Sequence, residues 1–337
     1  MECLRIESWG GDLERTTAPV PQAGPGEVLV EVEATSVGLT VRNSINGDLG
    51  DDPANLPRIP GHEVVGRVAE AGPGVEGLQP GDLVGAYFYL SCGRCRACRS
   101  GHESLCANLG GFVGIDVDGG FAEYAVLPAE NALELPDDLD PVDATVVPDA
   151  LATPYHVANQ RAQVEPDDDV LVLGAGGGVG IHLVQMVQHF GGRAHAVDQV
   201  PEKLSQCREL GAASTIDTSQ QSLADVETRF DAVVDFTGST ALLAEAVGLL
   251  APGGRLVNLT TFPGRTFELS PREQVLGELV VVGSRYCAKH EYLRCGELVA
   301  DGEIEPVVTE VVDLDGVPDL LARIAAGEVT GRGAVVL

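Results

Sequence analysis

The segment DDVLVLGAGGGVGIHLVQMVQHFG, residues 168–191, decides the fold of this chain. A short apolar run leads into a glycine-rich turn, and apolar residues at helical spacing then continue to Gly191. A buried strand, a tight turn and an amphipathic helix in this order begin a β-α-β unit. The segment therefore predicts a parallel, doubly wound α/β sheet in this part of the chain.

The residues after this segment keep alternating between strand and helix patterns. Strands are predicted at 193–199, 230–238 and 254–260, and helices at 201–212 and 240–250. Pro201 suits the first turn of its helix, because that turn needs no amide donor there. Residues 149–285 are therefore predicted to form a Rossmann domain.

The remaining parts of the chain have a different pattern. Residues 1–148 contain alternating strand patterns at 26–35 and 62–72, and frequent glycine and proline interruptions, which predict a β-rich, barrel-like domain. Residues 286–337 return to mixed structure, with a helix at 317–329 and a final strand at 331–337. This segment is expected to pack back onto the first domain.

Four cysteines form the most specific motif: Cys92, Cys95, Cys98 and Cys106, spaced C-x2-C-x2-C-x7-C. Thiolates at this spacing can close a tetrahedral zinc site without an open coordination position, which predicts a structural zinc lobe at about residues 90–108. An iron–sulfur cluster is the first alternative, although its usual runs have other spacings or a proline after the last cysteine. A disulfide pair is the second.

The glycine-rich turn is a candidate nucleotide site. Its residues, Gly174, Gly176, Gly177, Gly178, Val179 and Gly180, join the strand to the helix, where pyrophosphate approaches backbone amides. Asp198 ends the next strand, at the place of an acid that binds the ribose 2′-hydroxyl and repels a 2′-phosphate. Gln199 follows in place of an arginine, so NAD is favoured over NADP. The alternative is a ligand-free turn, with Asp198 only capping the next helix.

Charge restricts the partners. The formal net charge is −30, and Lys203 and Lys289 are the only lysines. Such a chain repels nucleic acid and anionic membranes. No segment is long and apolar enough to span a membrane and the N-terminus lacks a signal pattern, so a cytoplasmic protein is expected. An acidic, lysine-poor surface favours a high-salt cytoplasm; an acidic mesophile is the alternative.

With these motifs in place, the chain resembles the zinc-containing medium-chain dehydrogenase/reductase superfamily, the zinc-type alcohol dehydrogenases. The resemblance extends over nearly the whole length. Its further elements are GHE at 61–63, PGDLV at 80–84, GGFAEY at 119–124 and GSR at 283–285. It implies a GroES-like catalytic domain, a Rossmann domain, and a cleft for NAD(P) and a small-molecule substrate, with Arg285 near the cofactor. It also implies homodimers or homotetramers.

The catalytic metal site departs from the family pattern. Where the family has a cysteine after the third strand, this chain has Gly38. Thr40 retains the hydroxyl through which family members pass the alcohol proton, and Asn43 stands where some members have a relay histidine. His62 and Glu63 match the family's ligand pair, and Asp149 falls at the third ligand position.

These residues leave two interpretations of the metal site. Three nitrogen and oxygen ligands can hold a catalytic zinc with an open position, which would polarise a carbonyl or alkoxide. In the other interpretation the site is vestigial, and Asp149 only caps a helix.

Three functions remain open at this stage. An NAD-dependent alcohol or polyol dehydrogenase agrees best with the motifs. A reductase of an activated carbon–carbon double bond, acting without catalytic zinc, is favoured by Gly38 and Asn43. A cofactor-binding protein without activity is the third possibility, and Thr40, His62 and Glu63 argue against it.

Overall fold

The computed structural model describes residues 1–261 and 264–337, which divide into two compact units. The first unit contains Met1–Ala152 and Cys287–Leu337, and the second contains Thr153–Tyr286. The first boundary lies after Ala152, a few residues beyond the position expected from the sequence, because helical turns run without a break from residue 147 to residue 162. A continuous helix gives the sequence pattern no loop at which to place a boundary.

The N-terminal part of the first unit is mainly strand. Most of the longest strand is buried, including Val28, Val30, Val32 and Ala34, and only Glu31 between them is exposed. In chain order the elements are β1 (Glu2–Arg5), β2 (Glu14–Thr17), β3 (Glu27–Val37), α1 (Leu39–Ile45), β4 (Val64–Ala71), β5 (Leu83–Ala86), α2 (Arg96–Arg99), β6 (Tyr124–Pro128), β7 (Ala132–Glu134) and α3 (Pro141–Ala144).

Helix α4 (Ala152–His156) crosses the boundary, and strands and helices then alternate: β8 (Asp169–Leu173), α5 (Gly180–His189), β9 (Arg193–Asp198), α6 (Pro201–Glu209), β10 (Ser214–Asp217), β11 (Phe230–Asp235), α7 (Thr240–Val247), β12 (Leu250–Asn258), α8 (Pro271–Gly277) and β13 (Val280–Gly283). The strand order is β10-β9-β8-β11-β12-β13, and each neighbouring pair is parallel. This is the doubly wound Rossmann order, so the predicted fold class is confirmed. Strands β10 and β13, which the sequence analysis missed, are short and lie at the two edges of the sheet.

The C-terminal segment completes the first unit with α9 (Lys289–Ala300), β14 (Val308–Val312), α10 (Val317–Ala325) and β15 (Arg332–Val336). Its sheet has the order β14-β15-β3-β4-β5-β7, with β6 also pairing with β3. Strand β15 runs antiparallel to β3, with Gly333 opposite Val37. This register brings Arg332 alongside Gly38, at the end of β3.

Each unit has its own apolar core. In the first, Val37 and Val41 pack with Leu320 and Val335 from the C-terminal segment. In the second, Leu171 and Val233 are fully buried in central parallel strands. Among the residues described, the helices are too short or too polar to cross a bilayer.

Candidate metal centres and cofactor site

The four cysteines Cys92, Cys95, Cys98 and Cys106 converge in a small lobe around α2. Their sulfur atoms all lie within 4.8 Å of one another. Cys95 Sγ is 3.5 Å from Cys98 Sγ and 4.0 Å from Cys106 Sγ. Tetrahedral zinc with Zn–S bonds of about 2.3 Å would hold sulfur atoms about 3.8 Å apart. Cys92, Cys95, Cys98 and Cys106 are not joined by disulfide bonds in the structure.

Backbone amides around the lobe favour thiolates at two of the four positions. Amides of Cys98 and Ala107 lower the pKa of Cys95 to about 6, and amides of Arg94 and Cys95 lower the pKa of Cys92. Burial raises the pKa of Cys98 to about 12. Thiolate ligands with donating backbone amides are suited to a structural zinc ion.

The second cluster joins residues that are distant in the sequence. His62 and Glu63 directly precede β4, and Asp149 lies within the π-helical turn Val147–Leu151 rather than at a helix cap. His62 Nε2 is 3.6 Å from Asp149 Oδ2 and 3.8 Å from Glu63 Oε2. His62 and Glu63 are buried, and Phe88 packs edge-on against the imidazole with ring centroids 4.7 Å apart. The structure therefore brings all three predicted residues together.

The donor atoms of this cluster fit a metal ion. His62 Nε2 is buried and has no hydrogen-bond partner among the described residues. It points toward two carboxylates at separations close to the edges, about 3.4 Å, of a zinc tetrahedron with nitrogen and oxygen ligands. An imidazole nitrogen and carboxylate oxygens are ordinary zinc ligands. His62 and Asp149 would hold the ion, with Glu63 within reach.

A buried arginine, which the sequence analysis missed, contacts the cluster. Arg332 Nη2 contacts Glu63 Oε2, and Arg332 Nε donates a hydrogen bond to Ser36 Oγ at 2.9 Å. The other carboxylate oxygen, Glu63 Oε1, accepts a hydrogen bond from the Ala150 amide at 3.2 Å. Burial lowers the pKa of Arg332 to about 10, so the guanidinium is still charged at neutral pH. The only feature in the local sequence that could have indicated this role is that Arg332 is a basic residue at the start of an otherwise apolar final strand.

Gly38, Thr40 and Asn43, the positions compared above with the family's metal-site pattern, lie at the start of α1. Gly38 is its N-terminal cap residue, in extended backbone, and an ideal Cβ there would lie 2.2 Å from Arg332 Nη1. Thr40 is half-buried on the first turn of α1, not at the end of the preceding strand. Asn43 is half-buried on the same helix. The guanidinium therefore fills the space into which a side chain at position 38 would extend.

The glycine turn has the shape that a pyrophosphate site needs. Gly174 has φ +79, which disfavours other residues, and Cβ atoms at Gly176 and Gly180 would clash with Lys203 and the Gly174 carbonyl. Gly177 and Gly178 complete the turn, and Val179 is the N-terminal cap residue of α5. The turn thus places the N-terminus of α5 at the carboxyl end of β8, where nucleotides bind in this fold.

Asp198 is tied to this turn. Its Oδ2 accepts a hydrogen bond from the Gly176 amide at 3.0 Å, and its Oδ1 accepts from the Gln199 and Val200 amides at 2.8 and 3.2 Å. Lys203, which the sequence analysis did not assign to the site, is buried against Gly176. Burial lowers its pKa, and the Asp198 carboxylate opposes that shift. Lys203 could have been assigned to the site from the sequence, because it is one of only two lysines in the chain and follows Asp198 by five residues.

Arg285 and His182 lie in the second unit, outside the turn itself. Arg285 is exposed and follows the end of β13. His182 is fully buried in α5, and its Nδ1 lies 2.7 Å from the Gly178 carbonyl oxygen. Burial lowers the pKa of His182 to about 4. A neutral imidazole therefore supports the glycine turn from inside the domain.

Comparisons with known proteins agree with this architecture. The family model described as "Alcohol dehydrogenase GroES-like domain" matches residues 24–137, and that described as "Zinc-binding dehydrogenase" matches residues 178–301. An NAD-dependent alcohol dehydrogenase of Sulfolobus acidocaldarius is 30% identical over 98% of both chains. An L-threonine 3-dehydrogenase of Idiomarina loihiensis is 31% identical over 91% of this chain and 90% of its own. The solved structure of a thermostable alcohol dehydrogenase from Pyrobaculum aerophilum is 32% identical, covers 100% of this chain and 99% of its own, and superposes with a TM-score of 0.92.

The chain belongs to the zinc-binding dehydrogenases, the zinc-type alcohol dehydrogenase family of the medium-chain dehydrogenase/reductases. It is accordingly an NAD(P)-dependent oxidoreductase by class. The expected resemblance and the expected enzyme class are confirmed.

Proposed function

We propose that this protein is an alcohol or polyol dehydrogenase that uses NAD. A hydride passes from the carbinol carbon of the substrate to the nicotinamide, and the hydroxyl proton leaves to solvent, which yields an aldehyde or ketone and the reduced cofactor. The convergence of His62, Glu63 and Asp149 in one buried cluster carries this proposal. A double-bond reductase that works without metal does not need a buried imidazole whose Nε2 has no hydrogen-bond partner in the described part of the chain and faces two carboxylates.

The residues of the cluster would have different roles in the reaction. A zinc ion bound here would act as a Lewis acid toward the substrate oxygen. His62 and Asp149 would hold this ion, and Phe88 packs edge-on against the imidazole and restricts its rotation. The half-buried hydroxyl of Thr40 would relay the alcohol proton. The cysteine lobe would hold a second zinc that stabilises the fold and takes no part in the chemistry.

Asp198 is the basis for choosing NAD. Its carboxylate is held at the end of β9 by three backbone amides, including that of Gly176 in the turn. A fixed negative charge at this point suits the two hydroxyls of a ribose and repels the 2′-phosphate of NADP. Gln199 supplies no compensating cation.

The proposal is tested with a panel of primary, secondary and polyhydroxy alcohols. Each alcohol is incubated with the protein and NAD, and formation of the reduced cofactor is measured. At least one class should support turnover, and His62→Asn should abolish it. His290→Asn is the matched control, because His290 is an exposed histidine on α9 outside the cluster and its loss should leave the rate unchanged. Failure of every alcohol in a folded, cofactor-binding protein would contradict the proposal.

Reduction of an activated carbon–carbon double bond is the second candidate, and Gly38 favours it. Position 38 offers no thiolate where the family has a cysteine ligand, and an enzyme of this kind needs no metal-bound oxygen. The two candidates differ in a simple assay. Consumption of reduced cofactor with an enal or enoyl thioester, without any alcohol oxidation, would support the reductase.

The assembly is proposed to be a homodimer or homotetramer. Strand β13 lies at the edge of its sheet, and its Val280 and Val281 side chains are exposed. An apolar edge strand of this kind can pair with another strand, and the β13 of a second copy of the chain would bury these valine side chains. Val281→Lys should lower the mass measured by light scattering if β13 forms the interface.

A cytoplasm of high salt content is the proposed environment. The formal charge of −30 is poorly screened in dilute buffer, and free cysteines are typical of a reducing compartment. The melting temperature should therefore rise from dilute to molar potassium chloride. A flat or falling curve would favour an acidic mesophile.

A further inference from the structure

A serine, a histidine and an aspartate are joined by hydrogen bonds in the second unit, away from the glycine turn. Asp169 begins β8, whose other end leads into that turn, while His195 lies on β9 and Ser214 begins β10. His195 Nε2 lies 2.8 Å from Asp169 Oδ1, and His195 Nδ1 lies 2.8 Å from Ser214 Oγ. Because β10, β9 and β8 are neighbours in the sheet, each strand contributes one member of this triad.

The hydrogen bonds of the triad fix the direction in which each proton is donated. The Asp169 carboxylate is ionised at neutral pH, because hydrogen bonds from Arg193 and His195 lower its pKa to about 2. A carboxylate only accepts, so the imidazole carries its proton on Nε2, and Nδ1 of the neutral ring is an acceptor. The Ser214 hydroxyl therefore donates to Nδ1. A hydroxyl that donates to a histidine oriented by an acid is the arrangement that activates a serine nucleophile.

The acid and the base are held in place, whereas the hydroxyl is open to solvent. The side chains of Asp169 and His195 are only 24% and 13% exposed. Arg193 donates to both oxygens of the Asp169 carboxylate, at 2.8 and 3.0 Å, and Phe230 packs edge-on against the imidazole with ring centroids 5.1 Å apart. Ser214 is exposed on β10, which is an edge strand of its sheet. A small molecule can therefore reach the hydroxyl without displacing the other two residues.

We propose that Ser214 is a nucleophile and that the triad hydrolyses activated esters through an acyl-serine. Ser214 Oγ forms a bond to the ester carbonyl carbon, its proton passes to His195 Nδ1, and the bond from that carbon to the leaving oxygen breaks. His195 then gives the proton to the departing phenol or alcohol. Water attacks the acyl-serine in the same way, which releases a carboxylic acid and restores the Ser214 hydroxyl. The reaction consumes no cofactor, so the proposal is independent of the proposed dehydrogenase function.

The position of Ser214 indicates the class of ester. A positioned general base contributes about 10²–10⁴-fold to a rate, so the triad suits esters whose leaving group departs readily, such as esters of phenols. An exposed hydroxyl on an edge strand selects little by shape, and small acyl groups are expected to react.

Incubation of the protein with 4-nitrophenyl acetate tests the proposal. Release of 4-nitrophenolate is followed by absorbance, and the acetylated residue is identified by mass spectrometry of peptides. Ser214 should be acetylated. Ser222 is the internal control, because it is also exposed but its Oγ donates to the Glu245 carboxylate at 2.8 Å instead of to a histidine. His62→Asn protein should give the same label at Ser214, since the metal cluster takes no part in this reaction.

Variants of the triad identify the base. His195→Gln removes it and should slow acetylation of Ser214 at least roughly 100-fold. His290→Gln is the matched control, because His290 is an exposed histidine on α9 in the other unit, and the rate of acetylation should stay that of the wild type.

Two results would overturn the proposal. One is acetylation of Ser214 in the wild type no faster than that of Ser222. The other is an unchanged rate at Ser214 in folded His195→Gln protein, which would show that the triad only ties three strands together. The comparison of Ser214 with Ser222 uses the wild type alone, so it decides the matter if His195→Gln does not fold.

Discussion

Replacing Glu63 with glutamine should destabilise the protein strongly, because it leaves a buried guanidinium without its counter-charge. Glu63 is fully buried, and the side chain of Arg332 is 4% exposed. Removing one partner of a buried ion pair costs about 3–5 kcal/mol. Glutamine still accepts a hydrogen bond from the Ala150 amide or the guanidinium, so we expect the lower end, about 3 kcal/mol. For a unit of this size that corresponds to a fall in Tm of roughly 6–12 °C.

Differential scanning calorimetry at neutral pH measures this effect. The matched control is Glu2→Gln, which removes the surface pair of Glu2 with Arg15, whose side chains are 42% and 45% exposed. Exposed pairs contribute about 0–1 kcal/mol, so this control should melt close to the wild type. A Glu63→Gln protein that melts within about 2 °C of the wild type would show that the buried pair is not formed.

Three further predictions concern the other sites. Cys95→Ser should lose one zinc per chain and melt at a lower temperature, whereas Cys207→Ser should keep its zinc; elemental analysis decides, and unchanged zinc in the first variant would exclude the site. His182 has its pKa lowered to about 4 by burial, below its unfolded value of 6.5, so the unfolded chain takes up the proton first and stability falls as the pH drops from 6.5 to 4. The loss reaches about 3 kcal/mol, and His182→Asn should flatten the curve of Tm against pH relative to the wild type; parallel curves would refute the assignment. Asp198→Asn keeps a hydrogen-bond acceptor but removes the negative charge. The ratio of kcat/KM for NADP to kcat/KM for NAD should therefore rise roughly tenfold. A wild type that already prefers NADP would contradict the role of Asp198.

Patterns that are local in the sequence predicted the fold correctly. The strand, turn and helix over 168–191 reappear as β8, the glycine turn and α5. Burial on both faces makes such strands uniformly apolar, which a short window detects. The edge strand β10 has the sequence STID and only one buried residue, so its pattern is weak. The edge strand β13 was missed although it is rich in valine, because it is only four residues long.

The candidate sites were accessible to sequence reasoning only in part. The cysteine lobe is compact in sequence, so spacing alone brought its four residues together. The approach of Asp149 to His62 joins distant segments and came from the resemblance to a family, not from any local pattern. Arg332 is separated from Ser36 by 296 positions, and no short window relates it to Gly38. Their contact depends on the register of β15 on β3, which only the folded sheet defines.

Direct transfer of hydrogen between alcohol and cofactor is the most decisive test of the account. The purified protein is incubated with NAD and an alcohol that carries deuterium on its carbinol carbon, and the reduced cofactor is analysed by mass spectrometry. Hydride transfer assisted by the His62 cluster should place deuterium in the nicotinamide ring in proportion to the ketone or aldehyde formed, and none with His62→Asn. Carbonyl product without label in the cofactor, or label transfer that persists in His62→Asn, would contradict it.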